Sequence, residues 1–500
     1  MDNVKEEEKI VNTSIDKNID NGFLSMNQVK HFINMMNADR RTKRKRNTTD
    51  FPAEALYANH IAGNPLYAVA DRESTVSLYK WKSTYWRELT KHEAIKDAYY
   101  WLTDNAPEVA TNRTAVEAYK TALLDAMPLP GTYGTTLIPL EDCWVLVSDD
   151  GTLTVALPDS NVGVTYKINA SLNAPLGAYT PKPIKEDSLF RAYLDSSIPD
   201  KEVQCLLQEY AGYTLLNDTR FQVALCNLGM GKNGKSIFMA IIIALHAKIA
   251  AIRLDKMENF GLAPLVNASL AVCAETPKHG INEQILKACI SSDPVSIELK
   301  GVNEFTYRPT AKFIINMNSF PKIHDESDGI WRRLMIVEWK VQFDPEKQIK
   351  NLDTLIIENE LDQVVNWCLE GLQRLLKRGG FKIPSVVSES TTREREISNT
   401  VEQYCDAYFV IEDTAACSML KEDFYSVYLT FCKSQNYLPL GNVEFWKRIR
   451  QSYPRLKEEK KTILSEDGAT HTVRKKFINL KFNGDGEVAA DMFEKTESQQ

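Results

Sequence analysis

Apolar positions in this chain fall into short runs whose spacing defines the elements between polar turns. Residues 189–216 repeat apolar side chains at helical spacing and lead into 221–228 (FQVALCNL), a nearly unbroken apolar run of strand length. An apolar helix follows over 237–250. Three more apolar strands are predicted at 269–275 (SLAVCAE), 312–318 (KFIINMN) and 329–337 (GIWRRLMIV). Upstream, 77–86 is rich in aromatic and β-branched residues, and 143–155 has a strand-turn-strand pattern whose Asp149-Asp150-Gly151 step is hairpin chemistry. That turn accounts for both aspartates without a catalytic metal pair. Downstream, 418–437 and 443–453 read as helices, and 460–480 as a hairpin turning at 466–468, together a winged-helix outline.

Breaks in this pattern divide the chain. Residues 1–50 are polar and poor in aromatics, with an acidic start and a basic run, RRTKRKR at 40–46, as expected of a flexible charged arm. Globular text runs over 51–185, where Pro181 and Pro183 mark a linker. A central domain is expected over 186–380, a second linker over 381–400, a small domain over 401–484 and a polar, disordered tail over 485–500. The 500 residues agree with roughly three domains of about 150. At 43% hydrophobic and 25% charged, the composition excludes a fibrous or wholly disordered protein.

Composition also narrows the place and the chemistry. The run at 237–250 is too short for a membrane span, and the acidic start MDNVKEEEK lacks the basic and apolar regions of a secretory signal. A reducing cytoplasm is the expected location, with no membrane partner. Nine cysteines lie singly without CxxC or Cys/His spacing, so zinc chemistry has no support. A net charge of −7 requires any nucleic-acid surface to be local. Between Trp446 and Lys481 eleven Lys/Arg face four Asp/Glu, which supplies such a surface, with Lys447, Arg448, Arg450, Arg474, Lys475 and Lys476 as candidate DNA contacts.

The sharpest signal is Gly229-Met-Gly-Lys-Asn-Gly-Lys-Ser236, a complete GxxxxGK[ST] phosphate loop directly between a strand and an apolar helix. Its glycines 229, 231 and 234 let the backbone of the loop, including Lys232 and Asn233, turn its N–H groups toward phosphates, and the helix dipole adds to the attraction. Lys235 is expected on the β- and γ-phosphates of ATP and the Ser236 hydroxyl on Mg²⁺. Glu275, ending an apolar strand, is the expected catalytic base and second Mg²⁺ ligand. Asn318 ends another strand as candidate γ-phosphate sensor, and Arg332 or Arg333 suits an arginine finger reaching a neighbouring subunit's nucleotide.

In order and spacing, 189–194 (LFRAYL), 207–216 (LQEYAGYTLL), the phosphate loop, 259–276, 286–301, 313–321 (FIINMNSFP) and 328–339 (DGIWRRLMIVEW) resemble the superfamily 3 helicases, in the poxvirus-like and phage-plasmid primase-helicase branch. The resemblance covers about 189–339 and implies an α/β, AAA+-like ATPase with ATP bound between the subunits of a hexameric ring. It implies a hairpin gripping single-stranded DNA, with Lys287 near its base and Lys300 at its tip. It further implies 3′→5′ movement on single-stranded and forked DNA, and a separate primase or polymerase as partner. The chain departs from the family where Ala274 precedes Glu275, leaving one acid where two are common. Residues 51–185 lack an acidic-histidine primase constellation and resemble the α+β helicase-associated domain. The expected function is a replicative helicase of a phage, plasmid or other mobile element. A DNA-binding initiator that uses ATP as an assembly switch, without processive unwinding, is the alternative.

Overall fold

A computed structural model describes residues 52–72, 75–132, 136–274, 281–300, 302–321, 323, 328–344, 346, 348–398, 400–411, 419–435, 437, 439–453, 455–464 and 472–482. The expected arm and tail lie outside them. The described chain forms two compact units.

The smaller unit, within 52–64 and 90–126, is helical: α1 (Ala53–Ala62), α2 (Lys91–Asn105) and α3 (Asn112–Asp125). Small residues at the contacts, Ala58, Ala94, Ala98, Ala115, Ala118 and Ala122, are all buried and allow close helix packing. Thr90 and Glu93 close a reciprocal capping box on α2.

The larger unit begins with two antiparallel meanders, β1 (Tyr67–Arg72), β2 (Thr75–Trp81) and β3 (Trp86–Glu88), then β4 (Leu137–Pro139), β5 (Trp144–Val147), β6 (Leu153–Ala156) and β7 (Gly177–Tyr179). The β5–β6 hairpin turns at the expected place, with Gly151 at φ 83°. Asp149 there is fully solvated and pairs with Arg220, as a turn residue would.

Next come α4 (Leu189–Ser197), α5 (Lys201–Thr214), β8 (Ala224–Leu228), α6 (Lys235–Leu245), β9 (Ile249–Ala251), β10 (Leu270–Cys273), α7 (Glu283–Ser291), β11 (Val295–Leu299), β12 (Val302–Tyr307), β13 (Lys312–Met317), α8 (Asp328–Trp331), β14 (Leu334–Glu338), α9 (Leu352–Arg378) and α10 (Ser385–Ser398). Five strands form one parallel sheet in the order β14-β8-β13-β10-β9. They read as continuous apolar runs because both faces are covered. Leu225, Leu270, Val272, Ile314, Met335 and Val337 enter one core with α4, α5, α6 and α9; their alternates Cys226, Ala271, Cys273, Phe313, Ile315, Leu334 and Ile336 enter a second core with α7 and the β11–β12 hairpin.

Two expected boundaries differ from the structure. Ile138, Val145, Val147, Leu153 and Val155 of the second meander share the first core with the sheet, so packing is continuous across 185. Residues 381–400, expected as a linker, carry α10, whose Val387 is buried in that core. The polar sequence misled because α10 buries a single narrow stripe.

The long helix α9 organises the first core. Its Glu360 accepts hydrogen bonds from the Ser188 hydroxyl at 2.7 Å and from the Leu189 and Phe190 amides at 2.8 and 2.9 Å, satisfying the free N–H groups that begin α4. Gly371 of α9 meets Gln208 of α5 so closely that a Cβ would stand 2.3 Å from the Gln208 carbonyl oxygen. Buried Glu209 pairs with Arg374 and Arg378 across the same contact.

The chain ends in α11 (Thr400–Tyr408), β15 (Phe409–Ile411), β16 (Met419–Leu420), α12 (Lys421–Ser434), α13 (Asn442–Ser452), β17 (Glu458–Leu464), β18 (Thr472–Ile478) and β19 (Leu480–Phe482) around an aromatic core of Tyr404, Phe424, Tyr428, Phe445 and Trp446. The expected two helices and hairpin are present, with β16 adding a third strand to the sheet, and the turn at 466–468 lies outside the described residues.

Candidate functional site

The phosphate loop leaves the carboxyl end of β8 and is shaped by what its glycines permit. A Cβ on Gly229 would stand 2.1 Å from the Asn233 side chain. Gly231 and Gly234 have φ 95° and 92°, and Lys232 follows at 52°, so the backbone curls into a left-handed turn before α6 begins at Lys235. Asn233 is buried and donates to the Trp339 carbonyl at 3.0 Å, tying the loop to the segment after β14. The Phe343 amide donates to the Lys232 carbonyl at 3.0 Å from the same segment. The α6 N-terminus thus faces the concave turn, the arrangement that attracts phosphate.

Parallel strands place their functional residues along one edge. Because β13 lies between β8 and β10, Asn318 emerges between the phosphate loop and the end of the acidic strand. The Lys235 ammonium donates to the Gly229 carbonyl at 2.8 Å and to Asn318 Oδ1 at 3.1 Å, so the two predicted residues meet. Burial lowers the pKa of Lys235, since desolvation penalises its charged form.

Beneath them runs a chain of buried polar groups that the sequence reading missed. Trp339 Nε1 donates to Asn227 Oδ1 at 3.0 Å, Asn227 Nδ2 to Asn316 Oδ1 at 2.9 Å, and Asn316 Nδ2 to the Lys235 carbonyl at 3.4 Å. An asparagine inside each of the apolar runs ALCNL and FIINM was the available signal. Tyr193 also donates to the Gly234 carbonyl at 2.8 Å. Beside the loop a cavity of about 140 Å³ is lined by Ser197, Pro199, Val337, Lys340, Val386 and Ser390.

The remaining catalytic candidates separate. Glu275 lies outside the described residues, just past β10. Ser236 is exposed on the first turn of α6. One hydroxyl with one acid suits a magnesium ion that keeps most of its waters; no cluster of three or more His, Cys, Asp or Glu occurs among the described residues. The two arginines differ in their surroundings. Arg333 is 8% exposed, donates through Nε to Ser291 at 2.7 Å and to the Gly329 carbonyl, and burial lowers its pKa. Arg332 is exposed.

The nucleic-acid candidates lie on two elements. Lys300 is exposed at the turn joining β11 to β12, and Lys287 is on α7, the helix leading into that hairpin. In the C-terminal part, Arg448 is 6% exposed, which corrects its reading as a surface contact: on α13 it lies one turn after Phe445 and beside Ile449, on the core-facing side. Arg450 and Lys476 are exposed and paired with Glu458, while Lys475 pairs with Glu422. The side chains of Lys447 and Arg474 lie outside the described residues.

The mixed α/β fold with its parallel sheet has partial likenesses among known proteins. A family model described as a family of unknown function (DUF5906) matches residues 228–333. No curated protein matches the chain by sequence. The A form of the apo NrS-1 C-terminal region is 16% identical over 65% of this chain and 85% of that one, at a TM-score of 0.34. A second apo structure of that region is 14% identical over 69% and 97%, at 0.35. JCV helicase with a bound small molecule is 13% identical over 42% and 59%, at 0.26. No helix among the described residues is long and apolar enough to cross a membrane.

Proposed function

We propose that this chain is an ATP-driven DNA helicase of a mobile element, working as a hexameric ring that moves 3′→5′ along one strand. The observation that carries the proposal is the contact of Lys235 with both Gly229 and Asn318 at the edge of the parallel sheet. A cation and an amide side by side next to the phosphate loop support a site for the terminal phosphate of a bound nucleotide. The ring and its polarity rest on the superfamily 3 resemblance, as does the winged-helix reading of the C-terminal part on its helix-helix-hairpin order.

In this reading Lys235 exchanges its two protein acceptors for β- and γ-phosphate oxygens, and Asn318 Oδ1 is released to orient water. Glu275 takes the proton as water attacks the γ-phosphorus; the bond to the β-phosphate oxygen breaks, leaving ADP and phosphate. A magnesium ion held by Ser236 and Glu275 would supply charge neutralisation. Arg332, exposed and unlike Arg333 not locked into its own fold, stabilises that charge on a neighbouring subunit. The Lys300 turn grips single-stranded DNA.

Strand displacement on forked DNA with MgATP tests this, comparing wild type with Lys235→Ala and placing the single-stranded tail on either side. Wild type is expected to unwind only from the 3′ tail, and Lys235→Ala to lose hydrolysis with unwinding. Normal turnover in that variant would sink the proposal. ATP-dependent melting confined to one DNA sequence would instead identify an initiator.

A further inference from the structure

Three cations from three elements meet at one carboxylate in the C-terminal part. Glu458, at the start of β17, receives the Lys421 ammonium at 2.6 Å, the Arg450 guanidinium at 3.2 Å and the Lys476 ammonium at 3.5 Å. These come from the first residue of α12, the last turn of α13 and the strand β18. Lys421 is also fixed over the Trp446 ring, 4.4 Å from its centroid, with only 15% of its side chain exposed. Arg450 and Lys476 are different: their side chains are 53% and 49% exposed. Exposed ion pairs contribute about 0–1 kcal/mol, so stability alone is a poor reason for this convergence. One carboxylate also leaves three positive charges incompletely neutralised.

We propose that Lys421, Arg450 and Lys476 form a binding site for a backbone phosphate of duplex DNA, and that Glu458 is a built-in anion competing with it. The inference rests on the DNA-binding reading of the C-terminal part and adds to it a fixed cation, Lys421, and an opposing residue. With Glu458 in place, the exposed cations are partly satisfied by the protein and loosely held DNA can leave. When a phosphate displaces the carboxylate, it meets cations already gathered from helix and hairpin.

Duplex affinity of the full chain, measured without nucleotide across a salt series, separates the possibilities. Glu458→Gln is expected to tighten binding about five- to tenfold at low salt and to steepen the log–log salt slope by about one, because a freed cation releases one more counterion from DNA. Glu458→Asp keeps the charge and should leave affinity near wild type, and matching thermal melts show that each variant folds. The gain should vanish when Arg450→Met and Lys476→Met are added. Unchanged or weaker binding by Glu458→Gln, or a gain that survives those two substitutions, overturns the proposal. Wild-type binding that ignores all three changes does so while leaving the motor reading intact, whereas no duplex binding by any variant removes the DNA-binding reading of this part too.

Discussion

At the scale of single residues, the cost of burying charge separates the lysine proposed for the nucleotide from a lysine that serves the fold. Lys235 and Lys312 are both buried lysines with lowered pKa, yet Lys235 reaches the open edge of the sheet while Lys312 sits at the opposite end of β13. There its ammonium donates to the Leu216 and Thr310 carbonyls and lies over the Tyr213 ring. Desolvation is the main cause that brings Lys312 down to about 7. In the unfolded chain it would hold its proton to about 10.4. Between those values the unfolded state binds more protons, so stability rises with pH; it is lost again as pH falls through about 7. Lys312→Met lacks this rise. Wild-type stability minus variant stability should therefore increase from pH 7 to pH 9, by up to about 1.4 kcal/mol per pH unit. Denaturant unfolding at both pH values measures it, and an unchanged gap would refute the assignment.

At the scale of elements, close approach decides which helices can hold the site. The α5–α9 crossing keeps the first core tight under the parallel sheet, and Gly371 permits it. Gly371→Ala drives a methyl group into the Gln208 carbonyl and is expected to destabilise the protein by about 1–3 kcal/mol, as overpacking does. Gly380→Ala, where nothing lies within 4 Å of the added carbon, is the matched control and should change little. Equal denaturation midpoints for the two variants would show that the crossing tolerates the methyl. The strands themselves were legible, since unbroken apolar runs of strand length announced a sheet buried on both faces. Helix α10 was not: its polar sequence has little periodicity, and its place depends on Val387 finding a core built from residues far away in the chain.

At the scale of the whole molecule, catalysis in the proposed ring requires residues from two subunits. Arg332→Ala should lose ATP hydrolysis because its neighbour's nucleotide loses the finger, and Lys235→Ala because its own site fails. Mixing the two inactive variants creates some interfaces with an intact Lys235 site facing an intact Arg332. Partial recovery of ATPase activity in the mixture, absent from either variant alone, is the expected outcome; a mixture as inactive as its parts would place Arg332 outside the site. Arg333→Ala acts through another route, leaving Ser291 and the Gly329 carbonyl without their buried partner, and should lower stability by about 1–3 kcal/mol.

Sequence alone determined the phosphate loop, the strand before it and the apolar helix after it, and the helix-helix-hairpin order near the end, while the turn carrying Lys300 was only implied by the family resemblance. Each is local: a glycine pattern, an apolar run or a turn is complete within a few neighbouring residues. Tertiary structure decided which arginine is exposed, that Lys235 meets Asn318 across 83 positions, and that Trp339 reaches Asn227 across 112. It also turned Arg448 inward and gathered three cations on Glu458. Burial and hydrogen-bond pairing depend on elements that come together only when the sheet closes over both cores, so no window of sequence contains them.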